Sequence, residues 1–294
     1  MLLQSAVTVP FGDQHRYEIK WDGWRAIAYL DRGQLKILSR NLRDITVEYP
    51  ELTTLPISLK KRRAVLDGEI VTFGADGKPD FAQMQQRLGW WRKVPTCGAN
   101  FVAFDLLHLD GASLMNEPYS TRRQALDSLD LHGTCWFAPK TYADGSELVA
   151  ATRKLGLEGV VAKHVDSLYE PGRRPGTWLK LKNTTRDVFV VGGVVPPDAR
   201  QRHGWKLLVG KELRGKLNFA GVVELGITRA ALLRLEQAAP SLVTPESPFK
   251  TGPQSRRSYF LKPGLRVTVQ YMSWPRKWIA AGTCVQRFFI KSAN

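Results

Sequence analysis

The sequence has few cysteines and lacks long apolar runs, and each shortage excludes a class of protein. Three cysteines are spread over 294 residues, at Cys97, Cys135 and Cys284, with no Cys-x-x-Cys pair. This argues against a disulfide framework and a cysteine zinc site, and it predicts a reducing, cytoplasmic location. No apolar run approaches the roughly 20 residues that span a bilayer. The first ten residues also lack the basic and apolar regions of a secretory signal.

Acidic residues are scarce as well, and the resulting charge is unevenly distributed. The chain has 27 Asp+Glu against 43 Lys+Arg, a formal net charge of +16. Residues 187–294 hold 17 of these cations and 6 of the acids, a balance of +11. A basic segment of this density attracts polyanions through counterion release. No basic amphipathic helix is evident, so the charge favours nucleic acid over a membrane surface; a general solubility effect is the alternative.

Apolar periodicity predicts short strands through the first two thirds of the chain, broken by turn residues. Helical spacing appears at residues 80–88, 120–129 and 146–155, where Ser120 and Ser146 occupy expected N-cap positions. Strands and helices mix without a regular βαβ alternation. The pattern therefore predicts an α+β fold with mainly antiparallel sheets and flanking helices.

The pattern of predicted secondary structure changes after Lys182. The following strand patterns are interrupted by one predicted helix at residues 229–238. This arrangement is typical of an OB-fold, a five-stranded barrel that commonly binds nucleic acid. The polar run at residues 183–186 is the predicted hinge. We therefore expect two domains, residues 1–185 and 186–294, the second an OB-fold β-barrel.

One segment near the start carries candidate chemistry. Residues 18–25 read Glu-Ile-Lys-Trp-Asp-Gly-Trp-Arg, which places Lys20 at the end of a strand and before a glycine turn. We expect Gly23 to let the backbone approach a ligand closely. Taken alone, a lysine, a turn and an arginine are also common structural neighbours. Asp22 either has a role beside Lys20 or bonds its own backbone as a turn residue.

Further strand motifs follow in order along the chain: Leu66–Glu69, Phe101–Asp105, Glu158–Lys163 and Trp178–Lys182. Period-2 alternation puts Lys180 and Lys182 on one face of their strand. Two adjacent like charges need anions to neutralise them, and phosphates would serve.

Together these motifs resemble the covalent nucleotidyltransferase superfamily of ATP-dependent DNA ligases, and most closely the ligase domain of bacterial end-joining repair ligases. The resemblance spans nearly the whole chain and is extended by further short matches: Ser39–Asn41, Phe104–Leu107, Pro171–Arg174 and Phe189–Gly193. It implies a nucleotidyltransferase domain followed by an OB-fold. The C-terminal segment departs from the family pattern, because Arg287 and Lys291 match its last motif only in part. Arg276 or Lys277 is the alternative for orienting pyrophosphate.

The resemblance also implies residue roles. Lys20 would attack the α-phosphate of ATP and become lysyl-AMP, while Lys180 and Lys182 would hold that phosphate. Glu69 and Glu158 would serve ribose and a metal, Mg²⁺ or Mn²⁺. The other implied nucleotide- or DNA-contacting residues are Glu18 through its backbone, Arg25 and Arg40 on ribose or nick phosphates, Phe104 stacked on adenine, and Lys163.

The predicted function is that of a monomeric ATP-dependent DNA ligase that seals nicks in duplex DNA, with end-binding or repair proteins as further partners. An RNA ligase and a GTP-using capping enzyme are alternatives within the superfamily. A DNA-binding module that has lost turnover is the alternative outside it. The five histidines are not at metal-ligand spacing. The basic run at residues 60–63 fits either contact with DNA phosphates or a solvated loop. The run at residues 90–93 fits either stacking on bases or a packed corner with exposed cations.

Overall fold

The computed structural model describes residues 1–60, 62–88, 98–197, 204–224, 226–250, 258–271 and 289–290. It divides the chain into two compact units, Met1–Asn183 and Thr184–Asn294. Across the described ranges, no helix combines the length and the apolar character needed to cross a membrane.

The described residues of the first unit form ten strands and four α-helices, with 3-10 turns at Thr46–Glu48 and Pro50–Leu52. Its strands are β1 (Gln4–Ser5), β2 (His15–Ile19), β3 (Trp24–Asp31), β4 (Gln34–Ser39), β5 (Ala64–Thr72), β6 (Ala99–Leu109), β7 (Ala112–Ser113), β8 (Trp136–Phe137), β9 (Gly159–His164) and β10 (Trp178–Lys182). Its helices are α1 (Leu55–Ser58), α2 (Phe81–Leu88), α3 (Tyr119–Ser128) and α4 (Gly145–Leu155).

These strands form two sheets. One has the order β4-β3-β5-β6-β7, with β8 paired to β6, and the other has the order β1-β10-β9-β2. Pairing is antiparallel except for β1 with β10 and β6 with β8, which confirms the mainly antiparallel prediction. The strands β5 and β6 are buried along most of their length, as their Val, Ile, Leu and Phe content favours. The β3–β4 hairpin turns at Arg32 and Gly33, both with positive φ, as primed two-residue turns require.

Both serine N-cap predictions are wrong. Helix α4 is capped by Asp144, whose carboxylate accepts a hydrogen bond from the Glu147 backbone N–H at 2.9 Å. Aspartate caps as well as serine and adds a negative charge at the positive end of the helix dipole. Helix α3 begins one residue before Ser120 and follows Pro118, while the Ser120 N–H donates to the Val165 carbonyl.

In the second unit, the part of the chain that the structure describes forms one sheet and one helix. Its elements are β11 (Thr185–Val195), β12 (Lys206–Leu213), β13 (Lys216–Val223), α5 (Arg229–Leu242), β14 (Val243–Thr244), β15 (Tyr259–Tyr271) and β16 (Phe289–Ile290). The strand order is β13-β12-β11-β15-β14, with β16 paired to β15. The side chains of Phe189, Val209 and Val269 are among those buried in its core.

The predicted hinge is shorter than expected. Asn183 is buried in the first unit, where its side-chain amide donates to the Thr152 hydroxyl and the Leu157 carbonyl at 3.0 and 3.1 Å. Strand β11 then begins at Thr185. The change of unit therefore falls between Asn183 and Thr184.

Candidate active site

A cleft lies between the two sheets of the first unit. Strands from both sheets supply its walls, together with the segment that follows β2. Its lining residues are Leu3, Glu18, Ile19, Lys20, Trp21, Arg25, Glu69, Phe104, Val161, Lys163 and Trp178. Most of the predicted nucleotide-binding residues thus share one cavity, although they come from distant parts of the sequence.

Strand register gives the cleft two ends. On β10, Trp178 pairs with Lys163 and Lys182 pairs with Gly159 of β9. Four residues of β-strand span about 13 Å, so the Trp178 end and the Lys182 end are well separated. Lys180 lies between them and pairs with Val161. The two ends carry different groups of charged residues.

At the Lys182 end, Lys20, Glu158 and Lys182 form what we call the open cluster. The Lys20 Nζ lies 2.5 Å from Oε2 of Glu158, and the Lys182 Nζ lies 3.0 Å from Oε1 of the same carboxylate. The side chain of Lys20 is 17% exposed. One carboxylate therefore holds two ammonium groups at a position that solvent and ligands reach.

Glycines position this cluster, but not for the predicted reason. A Cβ on Gly23 would lie 2.1 Å from the Ile70 carbonyl oxygen of β5, so Gly23 permits close approach of two strands rather than of a ligand. Gly159 has φ +148°, and a Cβ there would lie 2.0 Å from the Leu181 carbonyl. Its own carbonyl accepts the Lys20 backbone N–H at 2.9 Å, which fixes the start of the turn.

Two further carboxylates have raised pKa values beside the open cluster. Burial raises the pKa of Glu69 to about 8, although the charges of Lys20 and Arg25 oppose the shift. Burial, and next the charge of Glu158, raise the pKa of Asp22 to about 6. Closely spaced acids and amines with shifted pKa values are typical of functional sites. A bound anion would neutralise the amines, and a bound cation would neutralise the acids.

Lys180 has no ion-pair partner among the described residues. Burial lowers its pKa, and Lys182, Lys20 and Arg174 act in the same direction. The unmatched positive charge at the middle of the cleft is a suitable position for an anion.

Arg25 is held by the protein itself. Its guanidinium donates to both carboxylate oxygens of Asp67 at 3.0 and 2.6 Å, and also to the Tyr169 hydroxyl and the Met1 carbonyl. Asp67 is fully buried and also accepts one hydrogen bond from the Tyr169 hydroxyl. The pair fixes β3 to β5 and leaves Arg25 on the cleft wall, 5.7 Å from the Phe104 ring centroid.

At the Trp178 end, Lys163, Glu18 and Tyr119 form the buried cluster. The Lys163 Nζ lies 2.7 Å from Oε1 of Glu18 and donates to the Phe104 carbonyl at 2.8 Å. The Tyr119 hydroxyl donates to the same Glu18 oxygen at 2.6 Å. Burial lowers the pKa of Lys163, and the negative charge of Glu18 opposes that shift. The Glu18 side chain, and not only its backbone, is therefore part of the site.

Some predicted residues lie elsewhere. Arg40 is exposed at the turn after β4 and does not line the cleft. Arg62 and Arg63 are exposed and paired with Asp110 and Asp31. The C-terminal candidates and the tryptophan run lie outside the described residues: Arg276, Lys277, Arg287, Lys291 and residues 90–93. His15 and His164 are neighbours across β2 and β9, with ring centroids 5.2 Å apart, but the described residues hold no metal-ligating cluster of three or more.

Sequence reasoning missed Tyr119 and Tyr169, which hold the site from behind. Neither tyrosine lies in a polar motif, and their partners are about 100 residues away along the chain. The one available signal was Asp67, a carboxylate within an apolar strand, because a buried acid needs partners.

A lysine next to a strand end, flanked by carboxylates and further lysines in a cleft between two antiparallel sheets, defines a domain of the nucleotidyltransferase type. Comparison with known proteins specifies the family. Residues 3–182 match the family described as ATP dependent DNA ligase domain. The chain belongs to this family.

Relatives with this domain take part in end joining. The chain is 38% identical over 266 residues to the multifunctional non-homologous end joining protein LigD of Mycobacterium bovis, covering 89% of this chain and 34% of that protein. It is 33% identical over 265 residues to LigD of Pseudomonas aeruginosa, covering 87% and 31%. The chain thus spans about a third of the length of these relatives.

A solved structure has the same architecture. The mycobacterial DNA ligase D complexed with ATP and MES is 36% identical, with a TM-score of 0.60 over 94% of this chain and 89% of that one. The prediction of a nucleotidyltransferase-type ligase domain is confirmed.

Proposed function

We propose that the chain seals nicks in duplex DNA in three steps that begin at Lys20. The Nζ attacks the α-phosphorus of ATP, a P–N bond forms, and pyrophosphate leaves. A DNA 5′-phosphate oxygen then attacks the same phosphorus, and the P–N bond breaks. Finally the 3′-hydroxyl attacks the 5′-phosphorus, the phosphodiester bond forms, and AMP leaves.

One observation carries this proposal: the Lys20 amine, directly after β2, lines the cleft and lies 2.5 Å from the Glu158 carboxylate. Covalent catalysis by lysine requires such an amine beside groups that exchange its proton and orient it. Lys180 and Lys182 add positive charge where charge develops on the phosphate, which stabilises the transition state.

The base would occupy the other end of the cleft. Phe104 and Trp178 line that end, and their rings lie 6.4 Å apart at 76°. We propose that adenine stacks on Phe104, with the Glu18 backbone at its edge. Arg25 would face ribose or the nick. Arg40, exposed and without a partner among the described residues, would contact DNA phosphate.

A divalent cation fits the site only together with phosphate. Glu69 and Glu158 are the two proposed carboxylate ligands near Lys20, and the described residues hold no cluster of three or more metal-ligating side chains, whereas Mg²⁺ commonly takes one or two carboxylates plus substrate phosphates and waters. Mg²⁺ or Mn²⁺, when bound, would neutralise charge on the phosphates.

The second unit is proposed to be an OB-fold that grips DNA. Three antiparallel strands, a helix and then the long β15 occur in the order such a barrel requires, and residues 187–294 carry a balance of +11. Several phosphate contacts would make the slope of log K against log salt at least about −3, since each contributes about −0.9. Titrations of labelled nicked duplex across salt concentrations measure this slope. A slope near zero would assign the charge to solubility alone.

The central test is incubation of the protein with radiolabelled ATP or GTP, followed by a denaturing gel. A labelled protein band from ATP supports the ligase. A band from GTP alone would favour a capping enzyme, and no band would favour a binding module. Sealing of nicked DNA against nicked RNA then separates the two ligase types. A monomeric state, repair partners and a cytoplasmic location remain predictions.

A further inference from the structure

Lys163 is predicted to contact the nucleotide, yet its ammonium is occupied by the protein. The side chain is 2% exposed. Of the three N–H donors of an ammonium, one is used by Glu18 and one by the Phe104 carbonyl. The remaining face lies among the rings of Trp178, Phe104 and Tyr119, at 4.4 to 4.9 Å from their centroids.

The partners of Lys163 belong to opposite walls of the cleft. Lys163 is on β9 and Glu18 is on the neighbouring β2, both in the four-stranded sheet, whereas Phe104 is on β6 of the other sheet. One ammonium therefore joins a side chain of one sheet to a main-chain carbonyl of the other. Such a connection fixes the gap between the sheets at this point.

The same connection reaches the reactive lysine. Glu18 and Lys20 are two residues apart, so they face the same side of the chain as it leaves β2, and both line the cleft. Tyr119 holds Glu18 from helix α3 at 2.6 Å. The Glu18 carboxylate thus has two buried hydrogen-bond partners, Lys163 and Tyr119. Together they set the position of β2 relative to Phe104.

We propose that Lys163 is a positioning residue that, with Tyr119, sets the width of the base slot between Glu18 and Phe104. It acts on nucleotide affinity through these two residues and not through contact with the phosphates. The inference rests on the proposed function, because it assigns the base to this end of the cleft.

The test compares self-adenylylation at increasing ATP concentrations in two variants. Lys163→Met combined with Glu18→Gln removes the ammonium without leaving a buried charge. We expect its KM for ATP to rise at least tenfold, while the rate at saturating ATP stays within about threefold of the parent. Its preference for ATP over GTP should also fall, because a slot of altered width selects less well. Tyr119→Phe removes one hydroxyl and should raise KM two- to threefold.

The matched control is Arg87→Met with Glu51→Gln, which removes an ion pair of the same unit outside the cleft, with side chains 3% and 18% exposed. Thermal melts establish that each variant folds. A folded double variant with a KM within twofold of the parent, or one that changes no more than the control, overturns the inference. If the double variant does not melt cooperatively, Tyr119→Phe decides, and an unchanged KM overturns the inference.

ATP affinity measured by calorimetry separates the two proposals. If the parent binds ATP but forms no adduct, the ligase proposal fails, and the Kd values of the variants still test the role of Lys163. If the parent forms the adduct and both variants bind ATP with the Kd of the parent, only the positioning role fails.

Discussion

Two lysine–glutamate pairs lie at the two ends of one cleft and differ mainly in the exposure of their lysines. In the open cluster, Lys20 and Glu158 are 17% and 6% exposed, whereas Lys163 and Glu18 in the buried cluster are 2% and 3% exposed. The open carboxylate is shared by two lysines, and the buried one by a lysine and a tyrosine. An ion pair near solvent exchanges partners at little free-energy cost, but a buried pair is held in place because separation leaves an uncompensated charge. The same pair of residue types therefore suits catalysis at one end and positioning at the other.

The largest contrast between the clusters is expected at Lys20. Lys20→Ala should abolish the covalent AMP adduct, because no other amine follows β2 at this position. Sealing of a nick that already carries AMP should survive better than sealing with ATP, since the last step does not use the amine as nucleophile. Denaturing gels and sealing assays measure the two effects. A labelled band from the variant would place the nucleophile elsewhere, and equal loss in both assays would make Lys20 a residue that only shapes the site.

Replacing the two glutamates should separate the clusters by stability. Glu18→Gln leaves the Lys163 ammonium buried without a countercharge, which costs about 3 kcal/mol or more. Glu158→Gln leaves two partly exposed lysines and should cost no more than about 1 kcal/mol. Urea unfolding of both variants measures the difference. Equal losses would contradict the distinction between buried and open.

The Glu18 variant should also depend on pH more steeply than the parent chain. Burial lowers the pKa of Lys163 in the folded state, and removal of Glu18 removes the larger of the two negative charges, Glu18 and Asp105, that oppose this shift. The unfolded chain then binds more protons than the folded one below the ordinary lysine pKa of about 10.4, so stability should rise as the pH increases towards that value. Unfolding at pH 7 and pH 9.5 tests the sign, with the parent chain as the control.

A smaller loss is expected at the middle of the cleft. Lys180→Ala removes, from the proposed phosphate position, a cation that has no acidic partner among the described residues. The adenylylation rate should fall by about a hundredfold, or about 3 kcal/mol in the transition state, with little change in stability. Quenched time courses with labelled ATP measure the rate. A fall below about threefold would mean that Lys180 does not reach the phosphate.

The smallest expected effect provides a baseline outside both clusters. Asp144→Ala removes the α4 cap and should cost about 1 kcal/mol, whereas Ser146→Ala should cost much less. Neither change should alter the yield of adduct. Thermal melts compare the stability of the two variants. Equal destabilisation would indicate that Ser146 also acts as the cap of α4.

The sequence by itself determined the class of protein and much of its secondary structure. The β10 boundaries agree with the predicted strand at Trp178–Lys182, because alternation of apolar and polar residues is a local property. The lysine motif and the order of the later motifs were enough to indicate the family, and the separation of charge indicated a second basic unit.

Only the tertiary structure decided which charges are paired and which are free. Lys20 and Glu158 are 138 residues apart, and Tyr169 reaches Asp67 over 102 residues, so no local pattern encodes either contact. Gly23 looked like a ligand-binding turn, but the strand that requires the glycine is β5, which no neighbouring residue reveals. Lys163 and Lys180 are similar in sequence context, since both lie on strands beside apolar residues. Burial between two sheets fixes the first to its partners, and the open cleft leaves the second for an anion.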